Sequence, residues 1–266
     1  MFSLWLTYIL VGCVAGVLAG LLGVGGGLII VPMLDICFTS QGLDHAFIMH
    51  LALGTSLASI VFTSVSSAWN HHKRGAVRWD VVRRVTPGIL AGTFAGSCVA
   101  SLMSTELLKI FFVIFLFYVS FQMFADKRPN PSREFPGRAG MFGAGGVIGV
   151  VSSLVGIGGG SLSVPFMIWC NLAVHRAIGT SAAIGFPIAV AGALGYIYNG
   201  LNVSGLPEHT LGYVYLPALI GIVGASMLTA PLGVRLAHAL PVSKLKRGFA
   251  ILLLVMGLRM LFKLVF

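Results

Sequence analysis

Apolar runs of about 17 to 25 residues, the length that crosses a bilayer as a single helix, recur from one end of this chain to the other. Of its 266 residues 57% are hydrophobic and only 9% are charged, which places it outside the range of soluble globular domains. No stretch is left over for a soluble domain, and the chain reads as an all-α polytopic membrane protein. Its 17 lysines and arginines outnumber its 7 acids. That excess sits in the loops, where orientation in a membrane requires it, so nucleic acid is excluded as a partner. Cys13, Cys37, Cys98 and Cys170 stand singly among apolar neighbours and read as small buried hydrophobes; neither a metal nor a cofactor is expected. Met1–Trp5 lacks a basic leader, and the first apolar segment is expected to remain as structure.

The chain repeats itself. Gly23-Val24-Gly25-Gly26-Gly27 through Pro32 returns as Gly156-Ile157-Gly158-Gly159-Gly160 through Pro165, at an offset of 133 positions. His50-Leu51-Ala52-Leu53-Gly54-Thr55-Ser56 returns as His175-Arg176-Ala177-Ile178-Gly179-Thr180-Ser181, at an offset of 125. Two motifs duplicated in the same order imply two structural repeats. Three consecutive glycines disfavour a helix by roughly 1 kcal/mol each relative to alanine, so a helix is expected to open at each break.

Apolar segments fall at about 4 to 22, 27 to 37, 46 to 68, 85 to 103 and 107 to 125, then at 139 to 155, a short arm to 172, 177 to 198, 211 to 231 and 245 to 265. The short arms, each expected to be closed by its proline, cannot span. The polar, proline-rich stretch 126–138 between the two series is the linker, which gives repeats over 1–125 and 139–266.

The loop charges distinguish parallel from inverted repeats. If each glycine segment enters and returns on one side, three full spans remain per half and the second half is turned over. Every lysine and arginine except Lys109, Arg259 and Lys263 then shares one face. Parallel repeats would send Arg176, Arg235, Lys244, Lys246 and Arg247 to join Lys109 on the opposite face. The positive-inside rule favours inversion, with a cytoplasmic linker and both termini outside. The expected fold is therefore two inverted repeats, each a broken or re-entrant glycine-interrupted helix pair plus three transmembrane helices.

Interrupted helices in inverted repeats build transporter sites near the bilayer midplane. The freed N–H groups and the positive dipole end of the second arm suit an anion, although glycines also serve close helix packing. Gly25, Gly26, Gly27, Gly158, Gly159, Gly160 and Ser161 are therefore candidate binding residues. Thr55, Ser56, Thr180 and Ser181 stand on the next span of each half, with hydroxyls that either meet a ligand or bond back to their own helix. His50, His175 and Arg176 lie where those spans begin, as candidates for an interfacial hydrogen bond, a proton relay or gating. The seven acids are expected at or beyond the span ends. Neither a catalytic cluster nor an intramembrane carboxylate is visible, which points away from an enzyme or a cation pump. Neither glycine stretch continues as a nucleotide-binding loop.

The doubled G-x-G-G-G…P and H-x-A-x-G-T-S motifs resemble the TauE/SafE sulfite exporter family, the TSUP permeases, over nearly the whole chain. That resemblance implies a bacterial inner-membrane permease for sulfite, thiosulfate, an organosulfonate or a related sulfur anion. The expected partners are that small anion, the lipid bilayer and, where the fold self-associates, a second copy of the chain. An anion channel on the same scaffold is the alternative, and a membrane-embedded enzyme or assembly factor a more distant one. The halves differ at Arg176 against Leu51 and at Ser161 against Leu28, which gives the second half more polar contacts.

Overall fold

The computed structural model describes residues 2–22, 26–125, 133–239 and 242–265. Ten helices form among them: α1 Phe2–Leu22, α2 Gly27–Ser40, α3 Ile48–Lys73, α4 Trp79–Leu102, α5 Thr105–Ala125, α6 Arg138–Val155, α7 Gly160–Trp169, α8 Val174–Gly200, α9 Leu216–Ala239 and α10 Val242–Val265. A two-residue hairpin, β1 Thr210–Leu211 with β2 Val214–Tyr215, precedes α9. Five helices, α3, α4, α5, α6 and α8, are long and apolar enough to cross a membrane. The protein is an all-α polytopic membrane protein.

The short arms are longer or differently stopped than their prolines suggested. Pro32 lies inside the 14-residue α2 and Pro165 inside the 10-residue α7, and both helices continue beyond. A proline near a helix start removes one i→i−4 bond, and the ladder closes again behind it. At roughly 21 and 15 Å, neither helix spans the hydrocarbon core. The expected linker lies outside the described residues up to 132. Arg133–Gly137 is irregular, with Arg133 donating its backbone N–H to Trp169 O at 3.3 Å and its guanidinium lying over the Trp169 ring.

Packing pairs the helices across the two series. α3 lies on α8, α5 on α10, α1 on α9 and α4 on α6. The contacts also give direction. Gly54 meets Tyr196, Leu57 meets Gly192, and Ser64 meets Gly185, so α3 and α8 run antiparallel. Ser120 donates to Ala250 O while Gly257 meets Phe117, so α5 and α10 do the same. Gly88, Gly92 and Gly96 meet Phe142, Gly146 and Val150 in ascending order, and α4 and α6 are parallel. Tyr8 against Gly221 and Gly16 against Ser226 make α1 and α9 parallel. α3 and α8 form the centre, with 78% and 67% of their apolar windows buried against 44% for α4, α5 and α6. Leu102, Phe121, Tyr198 and Leu228 point outward, as a lipid-facing belt requires.

These directions bring Lys73, Arg74, Arg78 and Arg176 to the end of the bundle where α3 finishes and α8 begins. Lys109, at the start of α5, and Arg259 and Lys263, at the finish of α10, lie at the other end.

One acid departs from expectation. Asp35 stands in the middle of α2, buried, with its carboxylate 2.8 Å from the Lys109 ammonium on α5. The sequence placed it near the end of the arm, because its span could not be seen to continue past it. Side-chain exposures of 2% for Asp35 and 8% for Lys109 take both charges out of solvent, so each needs the other. Lys109→Met is expected to destabilise the protein by about 3–5 kcal/mol by stranding the carboxylate, and adding Asp35→Leu to recover most of that loss. Chemical unfolding in detergent would measure both.

Candidate functional site

The two glycine breaks are built alike. Gly26 precedes α2 and Gly159 precedes α7, and each has a φ of 75°, a left-handed conformation that glycine adopts without Cβ strain. In each, the carbonyl of that glycine accepts the N–H groups three and four residues on: Ile29 and Ile30 bond Gly26 O, and Leu162 and Ser163 bond Gly159 O. Among the described residues no side chain caps either helix. Both starts therefore present N–H groups and the positive end of a helix dipole. Gly25 lies outside the described residues.

The breaks also meet. Gly27 stands so close to Gly156 that a Cβ there would collide with the Gly156 carbonyl oxygen. That oxygen accepts a 2.7 Å hydrogen bond from Ser56 Oγ. Gly158 faces Gly185 of α8 and Ile60 of α3, while Gly159 lies against Ile188 and Ser152. Gly27, Gly158 and Gly159 are buried, and Gly160 and Ser161 are half-buried. Ser181 shares a 2.7 Å hydrogen bond with Ser163 of α7.

The two threonines have a different surrounding. Thr55 Oγ1 accepts the backbone N–H of Tyr215 at 3.0 Å, and Thr180 Oγ1 accepts that of Arg78 at 3.0 Å. Tyr215 immediately precedes α9 and Arg78 immediately precedes α4, so each threonine satisfies the entry of a helix from the other series. The glycine before each threonine lets that entry approach. A Cβ on Gly179 would sit 2.7 Å from Ala76 O, and one on Gly54 would press on Tyr213 O. The glycine and threonine of the G-T-S motif thus form two reciprocal staples. No periodicity could have revealed this, because the partners lie more than 100 positions away.

The histidines differ. His50 is buried, its Nε2 3.0 Å from Ala100 O and its ring stacked on Tyr213 at 4.9 Å between centroids, while its Nδ1 has no partner among the described residues. His175 and Arg176 are exposed at the opposite, basic end. The structure does not bring these three together with the glycine breaks. The sequence shows no sign of Thr93 and Ser152, both fully buried, Ser152 beside Gly159 and Thr93 against Gly149, because lone hydroxyls in apolar helices carry no pattern.

A family model for the sulfite exporter TauE/SafE matches residues 8–260. The chain belongs to the TauE/SafE family. Curated relatives of this family member span its whole length. A probable membrane transporter protein of Haemophilus influenzae is 37% identical, with 99% of this chain and 100% of that protein aligned. One of Methanocaldococcus jannaschii is 29% identical over 95% of this chain and 94% of its own. YdhB of Bacillus subtilis, also a probable membrane transporter protein, is 27% identical over 96% and 99%. No solved structure matches. Within this TauE/SafE chain the glycine breaks and the staples therefore sit in the frame of a membrane transporter.

The staples carry a prediction. Thr55→Val and Thr180→Val each leave a backbone N–H unpaired where α9 or α4 begins, and each should cost about 1–3 kcal/mol of stability. Thr→Ser at either position should recover most of it. Thermal unfolding of the purified protein in detergent is the measurement.

Proposed function

We propose that this protein is a secondary permease that carries a small sulfur-containing anion, such as sulfite, thiosulfate or an organosulfonate, by alternating exposure of a site at the glycine breaks. The observation that carries the reading is the meeting of the two breaks, Gly27 against Gly156, with uncapped helix starts on both sides. N–H groups there attract an anion without a cationic side chain, and irregular backbone is tolerated at membrane depth only where protein or a cavity surrounds it. The family description, sulfite exporter, supports the substrate class.

The two series are inverted repeats, 1–125 and 139–266, joined by the linker 126–138. The antiparallel course of α3 against α8 and of α5 against α10 supports this, since each is a pair of counterparts. On that reading α1–α2 and α6–α7 are re-entrant hairpins entering from opposite faces. The basic end is cytoplasmic under the positive-inside rule, and both termini lie outside the inner membrane. The protein does no covalent chemistry, and Asp35 serves as the partner of Lys109.

Two experiments test this. In proteoliposomes, unlabelled sulfite on the far side should accelerate uptake of labelled sulfite, as a carrier requires; uptake without trans-acceleration would point to a channel. In a background with the four native cysteines replaced by alanine, cysteines at Glu134 in the linker and at Asn202 should label from opposite faces of the membrane. Labelling from one face would reject the inverted topology.

A further inference from the structure

A hydroxyl in an apolar helix ordinarily turns back to a carbonyl three or four residues earlier. Ser59, Ser64, Ser97, Ser101 and Ser153 do this here. Thr93 on α4 and Ser152 on α6 do not. Both are 0% exposed, and neither Oγ has a hydrogen-bond partner among the described residues. Natural interiors rarely leave such groups unpaired, and each instance calls for an explanation.

Their position supplies one. Ser152 Oγ lies 3.4 Å from where a Cβ on Gly159 would stand, beside the start of α7. Thr93 Oγ1 lies 2.7 Å from the same point on Gly149, one turn before Ser152 on α6. The N–H groups of Leu162 and Ser163 close onto Gly159 O, so those of Gly160 and Ser161 are left without a partner among the described residues. One orphan hydroxyl, Ser152, thus stands at the break beside two free N–H groups, and a second, Thr93, stands against α6 one turn before it. The terminal methyl of Ile188 fills the space against Gly159, at the far end of a flexible side chain.

The counterpart positions differ from this in their side chains. The offset of 133 puts Ala19 where the second half has Ser152. Ala230 follows Tyr215 by the same fifteen positions as Thr93 follows Arg78. Thr229 Oγ1 does stand against Gly16, the counterpart of Gly149, but it bonds Cys13 O at 3.1 Å and Ala225 O at 2.9 Å. Among the described residues the unpaired hydroxyls therefore belong to the α4–α6 pair alone.

We infer that Thr93 and Ser152 are substrate-binding residues. They donate to a small oxyanion held at the N-terminus of α7, which makes the site one-sided: the second break binds and the first packs against it. The inference rests on the anion-carrier reading above. It explains why two buried hydroxyls stay unpaired, since an anion accepts from both when Ile188 turns aside.

Ser152→Ala and Thr93→Val are tested in the purified full-length protein, with binding of sulfite and of thiosulfate read from calorimetry and unfolding temperature read with and without each anion. Removing an orphan hydroxyl relieves an unpaired buried group. The ligand-free unfolding temperature should therefore hold or rise, while affinity falls about tenfold or more for each variant, the loss expected for one hydrogen bond to a charged group. Thr93→Ser and Ser152→Thr should keep affinity, as should Ser101→Ala, whose hydroxyl bonds its own helix. Should Thr93→Val not fold, Thr93→Ala carries the same readout. Wild-type affinity in both variants, or a lowered ligand-free unfolding temperature with affinity retained, overturns the inference alone. A wild-type protein that binds neither anion overturns the carrier reading, and this inference with it.

Discussion

The structure depends on a contact that holds each half at the entry of the other. Lipid gives apolar helices no reason to prefer one another, so close backbone approach and hydrogen bonds must decide which helices associate. Gly54–Thr55 takes the chain entering α9, and Gly179–Thr180 takes the chain entering α4. Each staple fixes where a helix of one series begins relative to the central helix of the other. α3 and α8 are thereby locked as an antiparallel core, and the parallel pairs α1–α9 and α4–α6 are set against its flanks.

The glycine breaks follow from that frame. Once α3 and α8 are placed, Ser56 reaches the Gly156 carbonyl and Gly27 fits against it. The halves then diverge. Around the second break stand Ser152, Ser161 and Ser163, where the offset of 133 gives Ala19, Leu28 and Ile30 at the first. The backbone geometry is shared, with Gly26 and Gly159 in the same conformation, but the hydroxyl chemistry is not.

Three sets of polar residues inside the bundle differ in what they touch. Asp35 and Lys109 neutralise each other between α2 and α5. Thr55, Ser56 and Thr180 satisfy backbone groups of distant elements. Thr93 and Ser152 satisfy nothing among the described residues. Leaving a polar group unpaired in a low-dielectric interior is unfavourable, so these two hydroxyls call for a partner from outside.

The class, the helices and the doubled motifs are legible in the chain without its fold. Apolar run length is a local property matched to bilayer thickness, and triple glycine is a local property of helix propensity, so both could be read directly. The loop charges also pointed to the arrangement in which Lys109, Arg259 and Lys263 stand apart from the other basic residues. Tertiary structure alone decided what the motif side chains touch. Thr55 and Thr180, candidates for a ligand or for back-bonding on sequence grounds, take backbone partners 160 and 102 positions away. Asp35 became a buried ion-pair partner because α2 runs on past it. Thr93 and Ser152 carried no signal, since a hydroxyl is conspicuous only when its surroundings offer it nothing to bond. Hydrogen-bond partnership in a bundle is set by which helices lie side by side, and that is a property of the packed fold that no local stretch of sequence contains.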